Sequence, residues 1–123
     1  MNILAIQHDV DLTSFNTFGV AARARSYAEI HSIEQLRTML QSRTQTEPLL
    51  ILGGGSNLLL TQDFSGLALH IKLFGTRVVK EEPDATYVDA AAGENWHDFV
   101  RWTLDQGLTG LFHIYWYLGM LKS

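Results

Sequence analysis

Two segments of the chain carry apolar residues at helical spacing, and capping signals bound each of them. In the first, Ser32 suits the N-cap position and Gln35, three residues later, completes a capping box. The polar run 42–47 and then Pro48 end this helix. Its predicted apolar face consists of Ile33, Leu36 and Leu40.

The second helical segment follows Asn95, which is a suitable N-cap. Gly107 stands where a left-handed residue commonly follows the last helical turn. The spacing predicts one apolar face, made of Trp96, Phe99, Val100 and Leu104.

Between the helices the apolar runs are short, which favours strands. Residues 25–30 and 67–71 are candidates, and a charged turn at 81–84 predicts a hairpin with a solvated tip. The continuous apolar run 49–52, between Pro48 and Gly53, is typical of a parallel strand buried on both faces. We therefore expect it inside a sheet and not at its edge. This order of elements predicts an α+β or mixed α/β domain and neither a helix bundle nor a β-sandwich.

Composition excludes several classes of protein. The chain has 123 residues, 46% of them hydrophobic and 18% charged, which argues against disorder. A net charge of -4 gives no reason to expect a nucleic acid or membrane partner, and no segment has the length of a membrane span. With no cysteine, disulfides and cysteine-ligated zinc are excluded. The default expectation for its location is the cytoplasm.

The strongest candidate for chemistry is the glycine loop, residues 53–57, which follows the predicted buried strand. Here Gly53, Gly54 and Gly55 allow backbone N–H groups to converge on phosphate oxygens, and Ser56 and Asn57 add side-chain donors. The loop is neither a Walker A motif nor a Rossmann fingerprint. A tight glycine turn between two strands remains the alternative.

Other polar residues favour structural interpretations. His97 is expected on the surface of the first turn of the second helix, and the five histidines show no metal-binding spacing. The carboxylates Glu81, Glu82 and Asp84 are expected at a solvated hairpin tip. Trp96, Phe99 and Trp102 are expected to pack, not to form a stacking platform for a ligand. No catalytic or metal-ligating residue is predicted.

Three motifs in a fixed order resemble the UDP-N-acetylenolpyruvoylglucosamine reductase family. The first is Asn-Thr-Phe-Gly-Val at 16–20, and the second is Ile-Leu-Gly-Gly-Gly-Ser-Asn-Leu at 51–58. The third is Ala-Gly-Glu-Asn-Trp-His at 92–97, followed by Gln-Gly-Leu-Thr-Gly-Leu at 106–111. The resemblance covers residues 14–111.

The resemblance implies an FAD-binding domain of the vanillyl-alcohol oxidase type, with a small βαβ-like subdomain and the start of a second subdomain. It implies an oxidoreductase that uses FAD and NADPH to reduce an enolpyruvyl UDP-sugar in peptidoglycan synthesis. It also implies that Gly53, Gly54, Gly55, Ser56 and Asn57 contact the FAD diphosphate.

The resemblance ends after Leu111, where the family continues into a second flavin-binding loop. We expect residues 1–111 to be a truncated FAD-binding domain and 112–123 to be an atypical tail. The arginine, serine and glutamate that serve the family's chemistry have no counterpart in this sequence. We therefore expect the chain itself to be inactive and to bind FAD weakly or not at all. The alternative is a stand-alone phosphate- or nucleotide-binding or interaction module without catalysis.

Overall fold

A computed structural model describes residues 5–15, 19–54 and 60–109. In the order of the chain, the elements are β1 (Gln7–Asp11), a 3-10 turn (Thr13–Phe15), β2 (Arg23–Ile30), α1 (Ile33–Ser42), β3 (Leu49–Leu52), β4 (Phe64–Ile71), β5 (Thr76–Glu81), β6 (Thr86–Ala90) and α2 (Trp96–Asp105). The predicted α+β class is confirmed.

β1 to β4 form one sheet in the order β1-β2-β4-β3. β4 lies parallel to both β2 and β3, while β1 is antiparallel to β2. α1 connects β2 to β3, and β4 later fills the place between these two strands. This is the βαβ-like unit that the sequence resemblance implied. β5 and β6 form a separate antiparallel hairpin, as predicted.

The apolar run 49–52 is a parallel strand, but the expectation that it lies inside the sheet is wrong. Among the described residues, β3 is an edge strand that pairs only with β4. Of its residues only Leu52 is fully buried, while Ile51 is 51% exposed. The described strand with a parallel neighbour on each side is β4, whose apolar run contains His70, so continuity of apolar residues did not identify it.

Each face of the sheet has its own core. The α1 face is formed by Ala28, Ile30, Met39, Leu67, Leu69 and Ile71. Met39 and Leu36 supply the helix side of this contact, while Ile33 and Leu40 are 50% and 39% exposed. The face of α1 that contacts the sheet therefore differs from the predicted one, because it includes Met39, which the prediction left out. The opposite face is formed by Leu12, Ala22, Ala24, Tyr27, Leu52, Leu60 and Ala68.

Both helices begin at the predicted N-caps. The Ser32 hydroxyl accepts a hydrogen bond from the Gln35 N–H at 3.1 Å. The Gln35 side chain reaches back one residue further than a capping box requires and accepts from the His31 N–H at 2.7 Å. Gly107 follows α2 with φ 75°, in the left-handed region, as predicted.

The apolar face predicted for α2 is only partly buried. Phe99 and Thr103 are its buried residues, while Trp96 and Leu104 are 40% and 60% exposed. The ring of Phe99 packs between the indoles of Trp96 and Trp102, with ring centroids 5.8 and 6.0 Å away. The three aromatic side chains therefore pack on one another, and Phe99 is the buried one.

Candidate functional site

A cavity of about 450 Å³ lies at the carboxyl ends of β3 and β4. Its walls are the start of the glycine loop, the end of β4 with the following residues, the β6–α2 loop and the 3-10 turn. In open sheets with parallel strands, ligands bind outside the carboxyl ends of the strands. The cavity is therefore the candidate functional site.

The first two residues of the glycine loop, Gly53 and Gly54, line this cavity in close contact with the β6–α2 loop. A Cβ atom added to Gly53 would lie 2.8 Å from the carbonyl oxygen of Ala92. One added to Gly54 would lie 2.9 Å from the carbonyl oxygen of Glu94 and 3.2 Å from Cα of Asn95. Side chains at these two positions would collide with main-chain atoms, so both positions require glycine for packing.

This finding changes the reason for two of the predicted site residues. Neither Gly53 nor Gly54 has φ in the left-handed region. Their missing side chains make room for a neighbouring loop of the same protein, whether or not a ligand is bound. Gly55, Ser56 and Asn57 lie outside the described residues.

The β6–α2 loop is itself anchored by three sets of hydrogen bonds. The Gly93 N–H donates to the carbonyl oxygen of Leu73 at 2.9 Å. Glu94 Oε1 accepts from the Gly75 N–H at 2.6 Å. Asn95 Oδ1 accepts from the N–H groups of His97 and Asp98 at 2.9 and 3.3 Å. The wall beside the glycine loop is therefore held at both ends.

The charges around the cavity are mixed. Lys72 is the permanent cation among the described lining residues, while Glu94 and Asp98 are acids on the α2 side. Lys72, on the β4 side, is therefore the lining residue best suited to attract an anion, whereas the two carboxylates would repel one. The N-terminus of α2, also at the wall, is capped by its own Asn95.

A polar group lies beneath the glycine loop. His70, on β4, lines the cavity, and its Nδ1 is 2.7 Å from the hydroxyl oxygen of Tyr27. Burial, the largest cause, lowers the pKa of His70, and Lys72 lowers it further, while Glu29 and the backbone of Gly53 raise it. Burial also raises the pKa of Tyr27, to about 12, with a contribution from Glu29. Both groups are therefore neutral near pH 7.

Sequence reasoning missed Lys72, Tyr27 and His70. The available signal was His70 itself, a single polar residue within the apolar run of a buried strand. Its partner is 43 positions away, so no local motif could identify the pair.

His97 and the carboxylates of the hairpin tip are not among the residues that line the cavity. His97 is exposed, and its Nε2 is 3.3 Å from Nη2 of Arg101. The Glu82 carboxylate, at the hairpin tip, is 2.7 Å from Nζ of Lys80. Within residues 5–15, 19–54 and 60–109, no group of three acids or histidines could hold a metal ion. No helix in those ranges has the length and apolar character to cross a membrane.

Known proteins are similar to this chain in sequence and in fold. The family model for the FAD binding domain matches residues 24–115. UDP-N-acetylenolpyruvoylglucosamine reductases from Flavobacterium johnsoniae and Pseudomonas fluorescens are 45% and 48% identical to this chain. Each alignment covers 88% of the chain. The chain covers 32% of each of them, so it spans about a third of the length of the relatives it matches.

The fold also matches a solved structure. The UDP-N-acetylenolpyruvylglucosamine reductase from Thermus caldophilus aligns with 97% of this chain, and the alignment covers 39% of that protein. The TM-score is 0.59 at 22% sequence identity, so this likeness shows a shared fold.

Proposed function

Because the chain belongs to the FAD binding domain family, we propose that it forms the glycine-loop side of an FAD site in a UDP-N-acetylenolpyruvoylglucosamine reductase. Relatives of that name are 45% and 48% identical to it, so the sequence resemblance to this reductase family is confirmed. From the resemblance we extend the proposal to NADPH as co-substrate, a UDP-sugar as substrate and the cytoplasm as location.

The observation that carries the proposal is the cavity at the carboxyl ends of β3 and β4. Its volume of about 450 Å³ is within the range of about 300–1,000 Å³ that small-molecule sites occupy. Lys72 supplies a cation and Ser14 a hydroxyl, while Gly53 and Gly54 present main chain without side chains. This donor set suits the phosphate groups of a dinucleotide better than an apolar ligand.

We assign roles to the described residues accordingly. Lys72 attracts the diphosphate, and the glycine loop approaches it through backbone N–H groups, with Gly55, Ser56 and Asn57 continuing the loop. The anchored β6–α2 loop keeps the glycine loop at a fixed distance from β4. When bound, the flavin supplies hydride transfer, which no protein side chain can perform.

Of the two outcomes expected from the sequence, weak FAD binding or none, the cation and glycine backbone at this cavity favour weak binding by the 123-residue chain alone. One loop offers a few charge-assisted hydrogen bonds of about 1.5–3 kcal/mol each. Association costs about 4–15 kcal/mol in lost translational and rotational freedom. We therefore expect a dissociation constant weaker than about 1 µM, which corresponds to about -8 kcal/mol.

The test is a titration of the chain with FAD, followed by flavin fluorescence. Gly54→Asp is a poor probe, because any side chain at this position collides with the Glu94 main chain. Lys72→Gln removes the cation and keeps a similar length of side chain, while Lys80→Gln, at the exposed hairpin, is the matched control. We expect Lys72→Gln alone to weaken binding. Equal binding by both variants would contradict the assigned role of Lys72, and a chain that does not respond to FAD even at millimolar concentration would contradict the proposal.

Reductase activity requires its own assay. We expect the 123-residue chain alone to show no substrate-dependent oxidation of NADPH, since positioning of the reactants supplies much of an enzyme's rate and this chain spans about a third of its relatives. Substrate-dependent loss of NADPH absorbance above the background of a contaminant-free preparation would refute this expectation. The alternative of a stand-alone module is not favoured, because the relatives cited above are named reductases.

A further inference from the structure

His70 occupies the point in the sheet where β3 passes into the glycine loop. In the register of the sheet it pairs with Leu52, the residue before Gly53, on one side and with Glu29 on the other. Its ring also lines the cavity together with Gly53 and Gly54. His70 is thus placed to act on the first peptide groups of the loop.

The Nδ1 side of the His70 ring contacts buried aromatic residues. The hydroxyl oxygen of Tyr27 is 2.7 Å from Nδ1, and Tyr27 is only 2% exposed. The ring of Phe15 stacks on Tyr27 at 5.5 Å and meets the edge of His70 at 5.1 Å. The Tyr27 hydroxyl keeps its proton at neutral pH and can donate it to Nδ1 of His70 at 2.7 Å or to Oε1 of Glu29 at 3.4 Å. The shorter distance favours Nδ1, and donation there leaves the proton of the neutral imidazole on Nε2.

The other side of the ring faces the loop. The ring lines the same cavity wall as Gly53 and Gly54, and the backbone of Gly53 raises the pKa of His70. That direction is expected when a ring N–H donates to a carbonyl oxygen, since such a bond favours the protonated ring. Nε2–H is the donor that the Tyr27 contact leaves available.

We propose that His70 is a positioning residue, which links the first peptide of the glycine loop to the buried hydroxyl of Tyr27 and so sets the direction in which the loop enters the cavity. The inference rests on the proposed function only for the ligand, which is the diphosphate of FAD. A histidine that merely fills space would not require a fixed tautomer, and this difference makes the proposal testable.

Several charged groups surround this link and set its response to pH. Glu29, on β2, is 3.4 Å from the Tyr27 hydroxyl through Oε1 and 3.1 Å from Nε2 of His31 through Oε2. Lys72 follows His70 on β4, and Glu94 and Asp98 face the same cavity. When His70 takes up a proton, Nδ1–H donates to the Tyr27 oxygen and the hydroxyl proton turns toward Glu29. The link to Gly53 through Nε2–H is retained in both states.

The experiment uses the 123-residue chain, labelled with nitrogen-15, in nuclear magnetic resonance. In the wild type we expect the neutral His70 ring as a single tautomer with its proton on Nε2, and we expect Gly53 and Gly54 amide signals that follow the titration of this ring. Tyr27→Phe should mix the two tautomers and shift both glycine signals. His97→Gln, on the exposed side of α2, should leave them unchanged.

Two substitutions at His70 separate positioning from packing. His70→Phe keeps a ring but loses both nitrogens, while His70→Gln retains an amide donor near the place of Nε2. We expect His70→Phe to displace the glycine signals and to weaken FAD-induced shifts by about fivefold, the factor that an ordinary lost hydrogen bond produces. His70→Gln should recover most of the wild-type values. If His70→Phe prevents folding, Tyr27→Phe and His70→Gln decide the question.

Wild-type glycine signals in both His70→Phe and Tyr27→Phe would overturn the inference, as would a wild-type ring with its neutral proton on Nδ1. Failure of the proposed function looks different. In that case the wild type shows no FAD-induced shifts, while the glycine signals of the free protein still follow His70.

Discussion

Gly54 lies so close to Glu94 that a Cβ atom added to the glycine would be 2.9 Å from the carbonyl oxygen of the glutamate. The contact joins the end of β3 to the loop before α2, and it involves main chain on both sides. Main chain cannot move aside as a flexible side chain can, so the contact determines which residues this position tolerates.

Gly54→Ala is therefore expected to destabilise the protein by about 1–3 kcal/mol, the usual cost of adding a methyl group to a close-packed place. Urea unfolding followed by circular dichroism measures the change in the free energy of unfolding. Gly54→Asn should be no better than Gly54→Ala, because the obstacle is steric. A variant as stable as the wild type would mean that the two loops separate easily.

Gly107 requires glycine for its backbone conformation, whereas Gly54 requires it for lack of space. Its φ is 75°, and no atom of the described residues lies within 4 Å of an added Cβ. Gly107→Ala should cost about 1 kcal/mol through backbone strain, and Gly107→Asn should recover much of that loss because asparagine tolerates the left-handed region. The same unfolding measurement tests this. Equal losses for alanine and asparagine would contradict strain as the cause.

Asn95 fixes the start of α2 at the wall of the cavity. Its side chain accepts two N–H groups that the helix cannot satisfy internally. Asn95→Ala should cost about 1 kcal/mol, and Asn95→Asp should cost much less, since aspartate caps equally well. Thermal unfolding of the two variants provides the comparison. If they unfold at the same temperature, capping is not what Asn95 contributes.

His70 makes stability depend on pH in a direction that follows from its lowered pKa. The unfolded state binds the proton first as pH falls through about 6.5, so folding stability is full above that value and declines toward the lower pKa of the folded state. In His70→Gln this decline should disappear. Urea unfolding at about pH 7.5 and about pH 5.5 measures it, with His97→Gln as control. An unchanged pH dependence in His70→Gln would refute the assignment to His70.

Sequence reasoning was most accurate where the interaction is local. The caps at Ser32 and Asn95 and the left-handed Gly107 involve partners within a few residues, so spacing alone identified them. It failed where the result depends on the order of the strands in the sheet. Nothing in the run 49–52 tells which strands will flank it, and the edge position of β3 depends on a strand that comes later in the chain.

The candidate site was predictable only in part. The glycines stood out because three in succession after an apolar run are unusual, yet the reason for Gly53 and Gly54 lies about forty residues away, at Ala92 and Glu94. Lys72 and His70 had no such signal. Their roles arise from the parallel pairing of β4, which brings its carboxyl end beside that of β3.

The position of β4 between β2 and β3 also has a consequence for how the chain folds. Ala24 pairs with Phe64, and Leu49 pairs with Leu67, so neither side of β4 can form as a local hairpin. The chain must first close long loops, at an entropic cost that slows folding toward the order of milliseconds to seconds. During synthesis β2, α1 and β3 emerge before the strand that joins them. Until β4 arrives, the edges of β2 and β3 that pair with it have no native partner, and this interval is when the nascent chain is most open to aggregation.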